Sequence, residues 1–158
     1  MKLLPKETYF AMLENSVGSH LFRNVYAEID GEKKDILANG NFSCSFFVSS
    51  ILSHFNFQLI KETHTGIKGL LADMKACGWV ESDRRIPGAV VVWDQEITQP
   101  TLQTHDHVGF ILDEHTAISN YDRDILAPQK HHIHFEGDPN GKAWRGIDKI
   151  FTHPFLES

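Results

Sequence analysis

Cysteine is scarce in this chain: Cys44 and Cys77 are its two thiols. They could close one disulfide at most, so no disulfide framework holds the fold, and a reducing compartment is the simpler setting. Long apolar runs are missing too. None approaches the roughly 20 residues that a membrane-spanning helix needs. The opening stretch, MKLLPKETYFAMLENS, sets Pro5, Lys6 and Glu7 where a secretory leader carries its apolar segment. It is not read as a signal peptide, and the expected setting is the cytoplasm or export without such a leader. An excess of positive charge is also absent. Fifteen Lys and Arg stand against 21 Asp and Glu, a net charge of −6. The two signs are interspersed, which leaves no electrostatic footprint for nucleic acid. Repeats, low-complexity tracts and linkers are lacking as well. The expectation for 158 residues is one domain over residues 1–158, built on one core.

What is present falls into two periods. Phe10, Leu13 and Val17 recur at helical spacing and stop at Gly18. Residues 27–41, AEIDGEKKDILANGN, read as a polar surface loop. A helix then starts at Asn41 or Ser43, either of which can cap it, and runs through Phe47, Ile51 and Leu52 to about His54. A third helix near 65–77 sets Ile67, Leu70, Leu71, Met74 and Cys77 on one face, with Gly78 as its stop. From there the pattern becomes strand-like. GAVVVWD (88–94) is a short β-branched run. HVGFILD and TAISNYD form a hairpin across Glu114-His115, and HHIHF puts Ile133 and Phe135 on one side, His132 and His134 on the other. GIDKIFTH (146–153) closes the sheet. Helices first and antiparallel strands after predict an α+β fold, helices packed on one antiparallel sheet.

Two residues in this layout invite chemistry. Cys44 opens an apolar helix, where unpaired N–H groups and the helix dipole favour a thiolate and can hold an oxyanion. The plainer reading is a small core side chain, and it suits Cys77, which is in phase with Leu70 and Met74. His107 begins a strand 63 positions later (107 − 44). A nucleophilic cysteine needs such a base, and the base needs an orienting group. The plainer reading of His107 is a half-exposed histidine at a strand edge.

The order of FSCSFFV, then IPGAVVVWD, then DHVGFILDEHTAIS resembles the NlpC-type papain-like cysteine peptidases, relatives of the CHAP amidases. The resemblance runs from about residue 36 to 122. It implies a papain-like α+β fold with Cys44 as nucleophile and His107 as general base. It further implies a thiol protease or amidase of short peptides, bacterial cell-wall peptidoglycan peptides foremost, with no cofactor and no metal. Ser43 and Ser45, on either side of the thiol, are the implied substrate contacts. The family's third polar residue lies about twelve positions after the histidine. A direct count favours Ser119. Asn120 is preferred for its chemistry, since an amide can accept the imidazole N–H and fix its tautomer. Where the family commonly reads Asp-Cys-Ser-Gly, this chain reads Ser43-Cys44-Ser45-Phe46. The aspartate that binds a free peptide amine in some relatives is therefore replaced. Tyr26 is the nearest candidate for a tyrosine that many relatives carry upstream.

Two rival readings stand beside this one. His105 and His107, with the HHIH run at 131–134, could offer imidazoles to a metal, giving a metal-dependent hydrolase or a metal-binding module. Against it, no carboxylate follows at a suitable spacing, and HHIH reads more simply as a solvated strand face. The other rival is a catalytically idle papain-like domain that binds peptide or glycan.

Overall fold

Pro5 opens the first helix, α1 (Pro5–Asn15), at a position whose N–H would have no helical partner. Its inward face is Tyr9 and Leu13, both fully buried. Phe10 is only half-buried and Val17, beyond the helix, is exposed, so the stripe lies about one residue from the expected one. The tyrosine ring explains this. It packs edge-on against Phe110 and Phe155, and its hydroxyl donates to the Gly88 carbonyl at 2.9 Å. The computed structural model describes residues 1–54, 58–98, 103–121, 124–139 and 144–158, with the backbone alone for 95–98 and 103–105.

The segment read as a loop contains a hairpin, β1 (Tyr26–Ile29) and β2 (Glu32–Asp35). Asp30 and Gly31 between them both have positive φ, 53° and 78°, the backbone that closes a two-residue hairpin. Next come α2 (Cys44–Leu52) and α3 (Ile67–Ala76), the latter followed by Gly78 at φ 98°. The strands β3 (Val80–Ser82), β4 (Val90–Thr98), β5 (Gln103–Ile111), β6 (Thr116–Asn120), β7 (Pro128–His132) and β8 (Ile147–Thr152) precede a last turn of helix, α4 (Pro154–Glu157).

Six strands form one antiparallel sheet in the order β3-β8-β4-β5-β6-β7. With helices packed on it, the molecule is α+β. The closing strand does not sit at an edge; β8 enters between β3 and β4. Strand β7 ends at His132, because Phe135 takes a positive φ of 59° and donates its N–H back to the His132 carbonyl. Alternation divides β5 and β6 into two faces. Phe110 turns toward the helices, its ring 5.5 Å from that of Phe47 in α2. His107, Gly109 and Ser119 occupy the other face with Trp93, which Phe135 covers. The body of α2 packs against β5 and β6.

Candidate functional site

His107 lies two residues before Gly109 in the middle of β5 rather than at a strand start, because the strand already begins at Gln103. The residue is 7% exposed, its ring set between Trp93 at 5.2 Å and Phe135 at 5.9 Å. A charged or polar ring so enclosed needs hydrogen bonds. Nε2 has one, to the Ser119 hydroxyl at 2.8 Å. Ser119 is itself fully buried and lies 2.7 Å from Nε2 of His131. On the far side of that second ring, Nδ1 donates to the His132 carbonyl at 2.8 Å.

The carbonyl fixes the direction of every bond in this chain. It can only accept, so Nδ1 of His131 carries the proton, and in the neutral ring Nε2 is then an acceptor. Ser119 donates its O–H to that nitrogen and accepts the N–H of His107 Nε2. In neutral His107 the lone pair is then on Nδ1, the nitrogen that can take a proton. Gly109 makes room for the arrangement. A Cβ there would meet Ser119 Cβ at 2.8 Å and collide with the Ile118 carbonyl oxygen.

Asn120, the amide expected on the imidazole, faces the other way. Its Nδ2 donates to the Gly40 carbonyl at 2.9 Å and to its own neighbour's carbonyl, that of Tyr121. Adjacent strand residues point to opposite faces, so when Ser119 reaches His107, Asn120 cannot. The bond to Gly40 ties the loop ahead of Cys44 to the last residue of β6. Cys44 is half-buried and packs against the core. Ser43 precedes it at the N-cap, yet its hydroxyl makes no capping bond. Ser43 and Ser45, expected as substrate contacts, are 0% and 2% exposed. Among the described residues, Ser43 Oγ and Asn120 Oδ1 are buried polar atoms with no partner. Tyr26 is exposed on β1, with the Lys33 ammonium over its ring.

Cys77 differs in kind. Burial pushes its thiol up, and the Asp73 carboxylate, which accepts its S–H, pushes it further in the same direction. Asp73 is engaged in structure: it accepts from the Lys61 and Glu62 N–H groups and bonds His64 Nε2 at 2.9 Å. Among the described residues no group of three or more His, Cys, Asp or Glu side chains could hold a metal; the His105 side chain lies outside them. His132 and His134 are half-buried rather than solvated, and His134 stacks on the exposed Trp144 ring. An open cleft of about 490 Å³ over the β3–β8 pair, lined by Glu81, Arg85, Asp148 and Lys149 among others, contains none of the predicted site residues.

His131 is the residue that sequence reasoning missed. It shares its parity with Ile133 and Phe135, the apolar side of HHIHF, and that was the available signal. It is 8% exposed, and its ring lies parallel to Phe135 at 4.0 Å. No helix is long and apolar enough to cross a membrane among the described residues. No protein-family model, no curated protein and no solved structure matches this chain.

Proposed function

We propose that this protein is a papain-like cysteine hydrolase that cleaves amide bonds in short peptides, cell-wall peptides foremost. The observation that supports it is the buried imidazole of His107, hydrogen-bonded at Nε2. Its hydrogen bond to Ser119 leaves Nδ1 as the basic nitrogen, and the loop ahead of Cys44 is tied through Gly40 to Asn120, the neighbour of Ser119 in β6. In this reading the Cys44 thiol passes its proton to His107 Nδ1 and the sulfur bonds to the substrate carbonyl carbon. Backbone N–H groups of the first turn of α2, which no side chain caps, hold the oxyanion. The C–N bond then breaks as His107 returns the proton to the leaving amine. Water, deprotonated by the same ring, cleaves the thioester, releasing a carboxylic acid and restoring the thiol.

The test is incubation with a panel of cell-wall muropeptides and short linear peptides, followed by mass spectrometry of products and protein. The expected result is cleavage of an amide bond with a transient acyl adduct on Cys44. Alkylation should abolish turnover and a chelator should leave it intact. Loss of activity to the chelator alone would establish the metal reading, and tight binding without turnover would establish the idle domain.

A further inference from the structure

We propose that His131, acting through Ser119, is a positioning residue that decides which nitrogen of His107 carries the proton. Its consequence for catalysis rests on the cysteine-hydrolase reading; the tautomer itself does not. Three adjacent strands contribute one side chain each: His107 from β5, Ser119 from β6 and His131 from β7. The order of donors follows from the fixed end at the His132 carbonyl. A serine hydroxyl alone could not impose it, since it can donate or accept with equal ease. With His131 Nε2 as acceptor, the Ser119 proton is committed to that side at 2.7 Å. Its oxygen must then accept from His107 at 2.8 Å.

The surroundings hold the second ring in place. Phe135 lies parallel to His131, 13° between planes. Trp93 flanks it at 5.5 Å and fastens the covering turn by donating its indole N–H to the Ile133 carbonyl at 2.6 Å. Tyr121 meets it edge-on at 5.5 Å, and its own hydroxyl donates to Asp138 at 2.8 Å. An apolar residue at 131 would leave Ser119 without its acceptor. The hydroxyl would then be free to donate to His107 Nε2, which lets the ring's proton sit on Nδ1, where it blocks acceptance from a thiol.

Nitrogen-15 NMR of the histidine rings separates the two tautomers directly. In Cys44→Ala protein above neutral pH, where no thiolate can pair with the ring, His107 is expected as the Nε2–H form and His131 as the Nδ1–H form. Finding His131 protonated at Nε2, or His107 protonated at Nδ1 only, overturns the proposal without any substitution in the relay. In the same background His131→Leu should move His107 toward Nδ1–H. His131→Gln, whose amide oxygen can still accept from Ser119, should restore Nε2–H. With Cys44 present, His131→Leu should slow alkylation of Cys44 by about 10- to 100-fold, less than loss of the base itself, and His131→Gln should recover most of it. A folded His131→Leu protein with an unchanged His107 tautomer and alkylation rate contradicts the inference. Correct tautomers in a protein whose Cys44 ignores His107 would instead sink the hydrolase reading and leave the positioning role intact.

Discussion

Among the described residues, the hydroxyl of Ser119 hydrogen-bonds to two imidazoles, which makes its removal an informative substitution. Ser119→Ala removes the hydroxyl that Nε2 of each buried ring hydrogen-bonds, at about 1–3 kcal/mol each. It also frees His107 to choose its tautomer. The expected outcome, assayed well below the melting temperature, is a fall in kcat of about 10- to 1000-fold with little change in KM. Asn120→Ala should do the opposite. It removes the tie to Gly40 and costs roughly 1 kcal/mol of stability, read as a lower Tm, while the pH profile of the thiol stays in place. The two side chains are neighbours in sequence, and both were candidates for one role. Counting along the chain pointed to Ser119; the chemistry of amides pointed to Asn120. Strand alternation decides between them, because a hairpin register is a matter of backbone pairing that side-chain preference does not reveal.

At the scale of elements, β5 and β6 approach closely because Gly109 has no side chain. Gly109→Ala is expected to push Ser119 off His107 and destabilise the protein by about 1–3 kcal/mol, the range for overpacking. Chemical denaturation reads the stability and Cys44 alkylation reads the site, and both should worsen together. Helix α3 has its own anchor. Burial pushes the Asp73 carboxyl up, but its bonds from His64, Glu62, Lys61 and Cys77 outweigh this and hold it below the usual value. Its folded pKa therefore lies under the unfolded value of about 3.9, so its stabilisation is present above that pH and fades as pH falls through the folded value. Thermal melts taken from about pH 5 down to 3 should show a drop in Tm that Asp73→Asn flattens. Helices α2 and α3 were legible because their apolar residues recur at helical spacing. The hairpin at Tyr26–Asp35 was not, since most of its residues are exposed and its strands lack an apolar alternation. Only Asp30-Gly31 marked it.

For the molecule as a whole, the succession of helices and then strands was enough to read an α+β architecture. The strand order was not readable. Nothing local in GIDKIFTH tells that it pairs with both Val80–Ser82 and Val90–Trp93, because that choice is made by long-range burial. The relay was hidden for the same reason: its members are twelve residues apart twice over (119 − 107 and 131 − 119), joined only once three strands align. The central claim is that these elements converge on a reactive Cys44. The rate of Cys44 alkylation by iodoacetamide, followed by peptide mapping across pH and in His107→Ala protein, tests it most directly. The account predicts fast, stoichiometric labelling of Cys44 already at about pH 6–7, where an unperturbed thiol is largely protonated. It also predicts sparing of Cys77 and loss of that acid-side reactivity when His107 is removed. Equal slow labelling of both cysteines, with a rate indifferent to His107, would contradict it.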